Sequence, residues 1–141
     1  PVFLLDNRRN VIAALHCGRE GTRKNIIGEA VKLMEKHFYC QPMDLTAIVG
    51  AGICHKHYEV SRELYEEFNK GLKAAGLEPD LTKNRFINIR YALNAQLLKA
   101  GIPEINIENI NDCTFESSNY HSYRREKTRN RQINIAGILY G

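Results

Sequence analysis

Leu15-His16-Cys17-Gly18-Arg19-Glu20-Gly21 marks the change from a short apolar run to a segment with helical spacing. Ahead of it, Val11 to Leu15 reads as an apolar strand. Behind it, Ile26, Ile27, Ala30, Val31, Met34 and Phe38 recur at the three-and-four spacing of one helix face, with Thr22 placed as the N-cap. A strand passing into a helix through a glycine-containing loop is a building block of layered α/β structure, and loops held by such a scaffold carry functional side chains more often than the scaffold does. His16 is therefore the first candidate for a metal ligand. A catalytic zinc normally takes three protein ligands and a water, and no second ligand stands at a regular spacing from His16.

Outward from this stretch, Val2 to Leu5 is a second apolar strand, joined to Val11–Leu15 by the turn-rich Asp6-Asn7-Arg8-Arg9-Asn10 as a hairpin. Leu45 to Val49 is a further strand ending at Gly50-Ala51-Gly52, where small residues allow a tight turn or the close approach of a ligand. Ser61 caps a helix through Leu64, Tyr65, Phe68 and Leu72 that stops near Gly76, and residues 77–85 form a loop. A third helix from Asn88 to Ala100 ends at Gly101 with Pro103 beyond it. Ile105 to Ile110 and Gln132 to Leu139 are strand-like, the second by alternation of Ile133, Ile135, Gly137 and Leu139. The order β-β-α-β-α-α-β-β predicts an α+β fold, a mixed β-sheet layered with helices.

At 141 residues and 43% hydrophobic the chain can bury one core, so residues 1–141 are expected to form one domain. No apolar run approaches a membrane span and no signal peptide leads the chain, so a soluble, cytoplasmic protein is expected. Cys17, Cys40, Cys54 and Cys113 are widely spaced, which favours reduced thiols. The net charge of +4 is carried entirely by Arg124, Arg125, Lys127, Arg129 and Arg131 set against Glu126. Charge so concentrated suits a local anion site better than a nucleic-acid-binding face. Pro1 is not an initiator methionine and a strand follows it at once, so the chain is expected to begin inside a larger protein.

Five blocks in register now point to a family. The Leu15–Gly21 run resembles the His-Ala-Gly-Trp-Arg-Gly run of the laccase-like polyphenol oxidases, a family associated with purine nucleoside phosphorylase and with a peptidoglycan editing factor. Gly50-Ala51-Gly52-Ile53 and His57-Tyr58-Glu59-Val60 resemble its Gly-Pro-Ala-Ile-Gly-Pro…Phe-Glu-Val segment, and Ile89 to Ile102 its Ala-rich helix ending in Ala-Gly-Ile. Cys113-Thr114-Phe115 is similar to its Cys-Thr-Tyr, and Tyr120 to Glu126 to its Phe-Phe-Ser-Tyr-Arg-Arg-Asp. The resemblance covers essentially the whole chain.

It implies an αββα sandwich of the laccase-like and toxin-deamidase-like type, incomplete at its N-terminus, because the family's strand equivalent to Pro1–Leu5 follows a metal-binding cysteine and a further histidine ligand lies upstream. It further implies zinc, or copper, held by His16 with those upstream ligands. The implied activity is phosphorolysis of adenosine or inosine, with adenosine deamination as a companion reaction, and the implied partners are a purine nucleoside and phosphate. Ser122, Arg124, Arg125, Arg19 and Gly50 are the candidate substrate and phosphate contacts. Two consecutive arginines cannot both face one ligand from a straight segment, and Arg124 is preferred.

There are departures from the family pattern. Arg19-Glu20 replaces Trp-Arg, so Glu20 would oppose an anion unless Arg19 takes the role, and Asn130 replaces a glycine. Cys54-His55 replaces Gly-Pro, and with His57 it forms a Cys-His-x-His cluster, a second candidate metal group set against the plainer reading of solvated loop residues. Cys17 reads as core filler, Cys113 as buried filler or, less favoured, a nucleophile facing the pocket, and Tyr58, Tyr91 and Phe115 as core rather than stacking platforms. Two other functions compete: a peptidoglycan editing or Cys/His-type hydrolase, and a non-catalytic module binding anions or nucleic acid through residues 124–131. Multicopper oxidation asks for more histidines than the five present.

Overall fold

The computed structural model describes residues 1–79 and 85–139. Strands β1 (Val2–Asp6) and β2 (Val11–Leu15) form the expected antiparallel hairpin, with Val2 opposite Leu15 and Asp6 opposite Val11. The turn is held by Asp6, whose Oδ1 accepts the backbone N–H groups of Arg8 and Arg9 at 2.9 Å each. That local bonding is what short acidic side chains do in turns. Strand β3 (Thr46–Val49) pairs antiparallel with β1, and β4 (Ile107–Asn109) pairs parallel with β3, giving the sheet order β2-β1-β3-β4.

Alternation in β1 sends Val2 and Leu4 to one face, where Ala47 and Val49 of β3 join them. Helices α2 (Ile26–Phe38) and α4 (Ile89–Lys99) cover that face. Their buried side chains, Ile27, Val31 and Met34 on α2 and Leu93 and Leu97 on α4, complete the main core. Each large apolar side chain so buried contributes roughly 1.5–3 kcal/mol. The opposite sheet face carries Phe3, Leu5 and Ile48 and is only half-buried. A second cluster of Phe68, Leu72, Ile87 and Ala92 lies between α3 (Arg62–Ala74) and α4, and Ile89 packs against both clusters. Mixed sheet and helices together make the α+β class expected from the sequence.

The cap expected at Ser61 forms, and Asn88 caps a further helix. Ser61 Oγ accepts from Leu64 N at 3.3 Å and Asn88 Oδ1 accepts from Tyr91 N at 3.1 Å. Gly76 and Gly101 adopt φ of +67° and +92°, the left-handed stop that glycine takes without a Cβ penalty. Thr22 is not a cap. It lies buried inside a separate short helix, α1 (Arg19–Arg23), where its hydroxyl donates to Cys17 O at 3.3 Å, and α2 instead starts after Asn25 at φ 58°.

Phe38, read as part of the buried stripe, is 52% exposed at the end of α2. Within Ile105–Ile110 only Ile107–Asn109 is a strand, since a 3-10 turn occupies Glu104–Asn106. Gln132–Leu139 is not a strand at all. It pairs with no neighbour among the described residues, and Ile133, Ile135 and Leu139 are 85%, 87% and 97% exposed. Alternation states which face a strand would bury, but a strand forms only when a partner supplies the ladder. The loop expected at 77–85 falls partly on residues 80–84, outside the described residues.

Candidate functional site

The strand register sets His16 and Gly50, two of the sequence-predicted residues, at one end of the sheet. Val2 lies opposite both Leu15 and Val49, so Pro1, His16 and Gly50 follow from three adjacent strand ends. The loop after β4 joins them, because Ile110 N donates to Val49 O at 2.8 Å and Gly52 bridges Cys113 in parallel. Three loops separated widely in sequence thus share one rim with Pro1.

His16 and Cys17 point to opposite sides of their segment, as successive residues on an extended chain do. His16 is exposed, while Cys17 is 7% exposed within the main core. Burial pushes the Cys17 thiol up to about 11, which leaves it protonated and inert at neutral pH. Gly18 lets the imidazole fold back, since a Cβ there would sit 3.0 Å from His16 Nε2. Gly50 serves the protein's own packing: its N–H donates to Pro1 O at 2.9 Å, and a Cβ would lie 2.6 Å from the Pro1 ring.

The two arginines divide by environment. Arg125 Nη1 donates to Thr114 O, Phe115 O and Ser117 O at 2.9, 2.8 and 3.0 Å, and its Nη2 to Tyr120 O at 2.7 Å. Its guanidinium also pairs with Glu126. Arg125 is therefore the clamp of the 114–120 loop. Ser122 belongs to the same scaffold, because it is 5% exposed and its Oγ accepts Arg125 N at 3.3 Å to cap the short helix α5 (Tyr123–Glu126). Arg124, by contrast, is exposed; its Nη1 donates to Glu59 O at 2.8 Å and its guanidinium lies 5.3 Å from the Tyr58 ring centroid.

Arg19 and Glu20 form an ion pair at 3.3 Å, and Glu20 pairs more closely with Arg23 at 2.9 Å. The hydrogen bond from Arg23, helped by the charges of Arg23, Arg19 and Lys24, holds the Glu20 carboxyl below its ordinary range. Glu20 is thereby neutralised locally, and Arg19 retains a buried Nε with no hydrogen-bond partner among the described residues.

The Cys54-His55-x-His57 segment does not assemble as a cluster of its own. Its 3-10 turn (His55–His57) turns Cys54 toward the loop after β4, where Cys54, Cys113 and Glu116 place one ligand atom each within 4.8 Å of one another. These three residues are close enough to hold one metal ion. His57 meets the group through Glu116, with Nε2 2.9 Å from Oε1, and its ring stacks on Phe115 at 4.3 Å between centroids.

Phe115 is half-buried with its ring stacked on His57, and Tyr91 is 44% exposed rather than core. Cys113 is buried, and its Sγ accepts the Cys54 N–H at 3.2 Å. Burial acts to push its thiol up, yet the backbone N–H of Cys54, the Cys54 thiol and the N–H groups of Glu116 and Phe115 outweigh it and hold it below its ordinary value. Glu116 was not singled out by sequence, although the Cys-x-x-Glu spacing from Cys113 is the one signal that a single turn would put both on one side.

A cavity of about 370 Å³ opens beside this group, lined among others by His55, Lys56, Arg90 and Tyr91. A larger groove of about 690 Å³ runs between α2, α3 and α4, but its lining holds no histidine or cysteine, and none of the predicted site residues reaches it. No helix among the described residues is long and apolar enough to cross a membrane.

A family model described as multi-copper polyphenol oxidoreductase laccase matches residues 1–139. A purine nucleoside phosphorylase of Bacteroides thetaiotaomicron is 29% identical over 143 residues, covering 99% of this chain and 53% of that protein. One from Corynebacterium glutamicum is 33% identical over 141 residues, covering 99% and 54%. The chain spans about half the length of these curated relatives. Among solved structures, YlmD from Geobacillus stearothermophilus superposes with a TM-score of 0.78 at 23% identity, over 90% of this chain and 48% of that one, which speaks for the fold.

Proposed function

This chain belongs to the multi-copper polyphenol oxidoreductase laccase family, and on that premise we propose that it is part of a zinc-dependent purine nucleoside phosphorylase acting on adenosine or inosine. The observation that carries the metal assignment is the β1–β2 register. Val2 opposite Leu15 sets Pro1 beside His16, so a cysteine just upstream of Pro1 would continue β1 next to the imidazole. His16 suits that role chemically, being exposed and adjacent to a loop glycine that lets its ring turn to the rim. Among the described residues His16 is not in the one group of three ligand atoms found close together, so its partners would come from upstream. The half-buried sheet face of Phe3, Leu5 and Ile48 offers the upstream half a surface to cover.

Phosphorolysis forms a bond from a phosphate oxygen to the ribose anomeric carbon while the bond from that carbon to the purine breaks. When bound, zinc supplies Lewis-acid polarisation of substrate atoms. His16 would hold it as a neutral imidazole. Arg124 would grip phosphate, since a planar guanidinium can bind two of its oxygens at once and no second hydrogen bond holds it among the described residues. Arg125 and Ser122 would act one step back by fixing the loop beside Arg124, and Arg19 is a further anion contact, its charge shared with Glu20. The purine relatives favour this reading over a peptidoglycan hydrolase or a nucleic-acid-binding module.

The test uses the protein with its upstream part. Purine release from inosine or adenosine is expected to require metal, and His16→Ala should abolish it together with one equivalent of zinc. Full activity in His16→Ala, or hydrolysis of a muropeptide without any purine release, overturns the proposal.

A further inference from the structure

We propose that Cys54, Cys113 and Glu116 form a second zinc site, separate from His16, that ties the loop after β3 to the loop after β4. Two thiols and a carboxylate converge there from positions 59 and 62 residues apart in sequence. Around a tetrahedral zinc with Zn–S near 2.3 Å and Zn–O near 2.1 Å, neighbouring ligand atoms lie about 3.5–3.8 Å apart. Cys54 Sγ is already 3.7 Å from Glu116 Oε1, and Cys113 Sγ lies within 4.8 Å of both. Small side-chain rotations would close the remaining distance.

The backbone prepares this convergence without a metal. Gly52 N donates to Asp112 O at 3.4 Å and Thr114 N to Gly52 O at 3.2 Å, which lays the two loops side by side. Cys54 N donates to Cys113 Sγ at 3.2 Å, and Glu116 N to Cys113 O at 3.2 Å closes the turn that brings Glu116 back over Cys113. His57 supports the ligand set from outside: Nε2 at 2.9 Å from Glu116 Oε1, with its ring stacked on Phe115, orients the carboxylate as outer partners of metal ligands do.

The donor set selects the metal. Two thiolates exclude magnesium and calcium, and the hard carboxylate favours zinc over copper(I). Three ligands would leave a fourth position open, and the 370 Å³ cavity that all three line also carries Lys56 and Arg90, whose charges would offset the site's residual negative charge. An ion here would pin the loop that Arg125 clamps.

Cobalt(II) is the probe, because thiolate coordination gives a charge-transfer absorption that oxygen and nitrogen ligands do not. Because the His16 site is proposed to include an upstream cysteine, the titration is made in His16→Ala: the reduced, metal-free variant should show this absorption at one equivalent of cobalt and lose it on adding zinc. In that background Cys54→Ser and Cys113→Ser should each abolish it, and His57→Ala should weaken zinc binding roughly 10–100-fold while keeping the absorption. Cys54 is only half-buried, so Cys54→Ser remains decisive if Cys113→Ser fails to fold. Absence of the absorption in His16→Ala, or its undiminished survival when Cys54→Ser is added, overturns the proposal. Because His16→Ala separates the two metals, this site and the phosphorylase reading stand or fall independently.

Discussion

Replacing Arg125 by alanine should destabilise the fold, whereas replacing its neighbour Arg124 should impair phosphate use. Arg125 holds four carbonyl oxygens, those of Thr114, Phe115, Ser117 and Tyr120, at 2.7 to 3.0 Å. Hydrogen bonds to a charged group contribute about 1.5–3 kcal/mol each when single and well buried. These four share one side chain that is 26% exposed, so water can replace part of the set on truncation. A net loss of about 3 kcal/mol follows, which for a chain of this length lowers Tm by roughly 6–12 °C.

Arg125→Lys keeps the charge but not the planar fork, and should recover less than half of that. Arg124→Ala removes one bond to Glu59 O and an exposed contact with Tyr58, at a cost of about 1 kcal/mol or less. It should instead raise KM for phosphate by roughly tenfold or more, the loss expected for a charge-assisted contact. Thermal unfolding, amide exchange across residues 113–120 and phosphate-dependence kinetics on the same variants give the readouts. An Arg125→Ala protein with unchanged Tm and exchange, or an Arg124→Ala protein with unchanged phosphate KM, would refute the division of labour.

Two further outcomes follow from packing. Burial raises the Cys17 thiol from 9.0 to about 11, so the folded state keeps a proton that the unfolded chain gives up above pH 9. Stability from this residue is complete below pH 9 and is lost as pH rises toward 11, by up to about 2.7 kcal/mol at about 1.36 kcal/mol per pH unit. Urea unfolding at pH 8 and 10.5 should show the decline, and Cys17→Ala should make it shallower, leaving the share of the Cys40 thiol, which burial also pushes up to about 11. Gly71 sits inside α3, where alanine would ordinarily gain about 1 kcal/mol. A Cβ there would lie 2.5 Å from Arg23 O and 2.4 Å from Arg23 Cγ, so Gly71→Ala should instead lower stability by about 1–3 kcal/mol, read as a reduced denaturation midpoint.

Local chemistry made much of this fold legible. The hairpin turn at Asp6, the cap at Ser61 and the stops at Gly76 and Gly101 depend on bonds spanning a few residues, and sequence spacing displays them. Thr22 shows the limit: a threonine before an apolar stripe looks like a cap, but it lies inside the separate helix α1, with its hydroxyl donating to Cys17 O. Gln132–Leu139 shows another, since alternation cannot supply a partner strand. At the site, His16 and Arg124 were visible as residue types in register with a family. Glu116 was not, because its meaning depends on the Gly52–Cys113 bridge that carries it to Cys54, and no local pattern encodes a contact across that distance. Arg125 and Ser122 looked like ligand contacts because a basic run displays charge but not the carbonyls around it.

The central claim is phosphorolysis, and the direct measurement is the product balance of the protein with its upstream part on inosine. Phosphorus NMR and base chromatography on one reaction should show ribose 1-phosphate and hypoxanthine forming in equal amounts, with neither appearing when phosphate is withheld. Hypoxanthine released at an undiminished rate without phosphate, with free ribose in place of the sugar phosphate, would contradict the account.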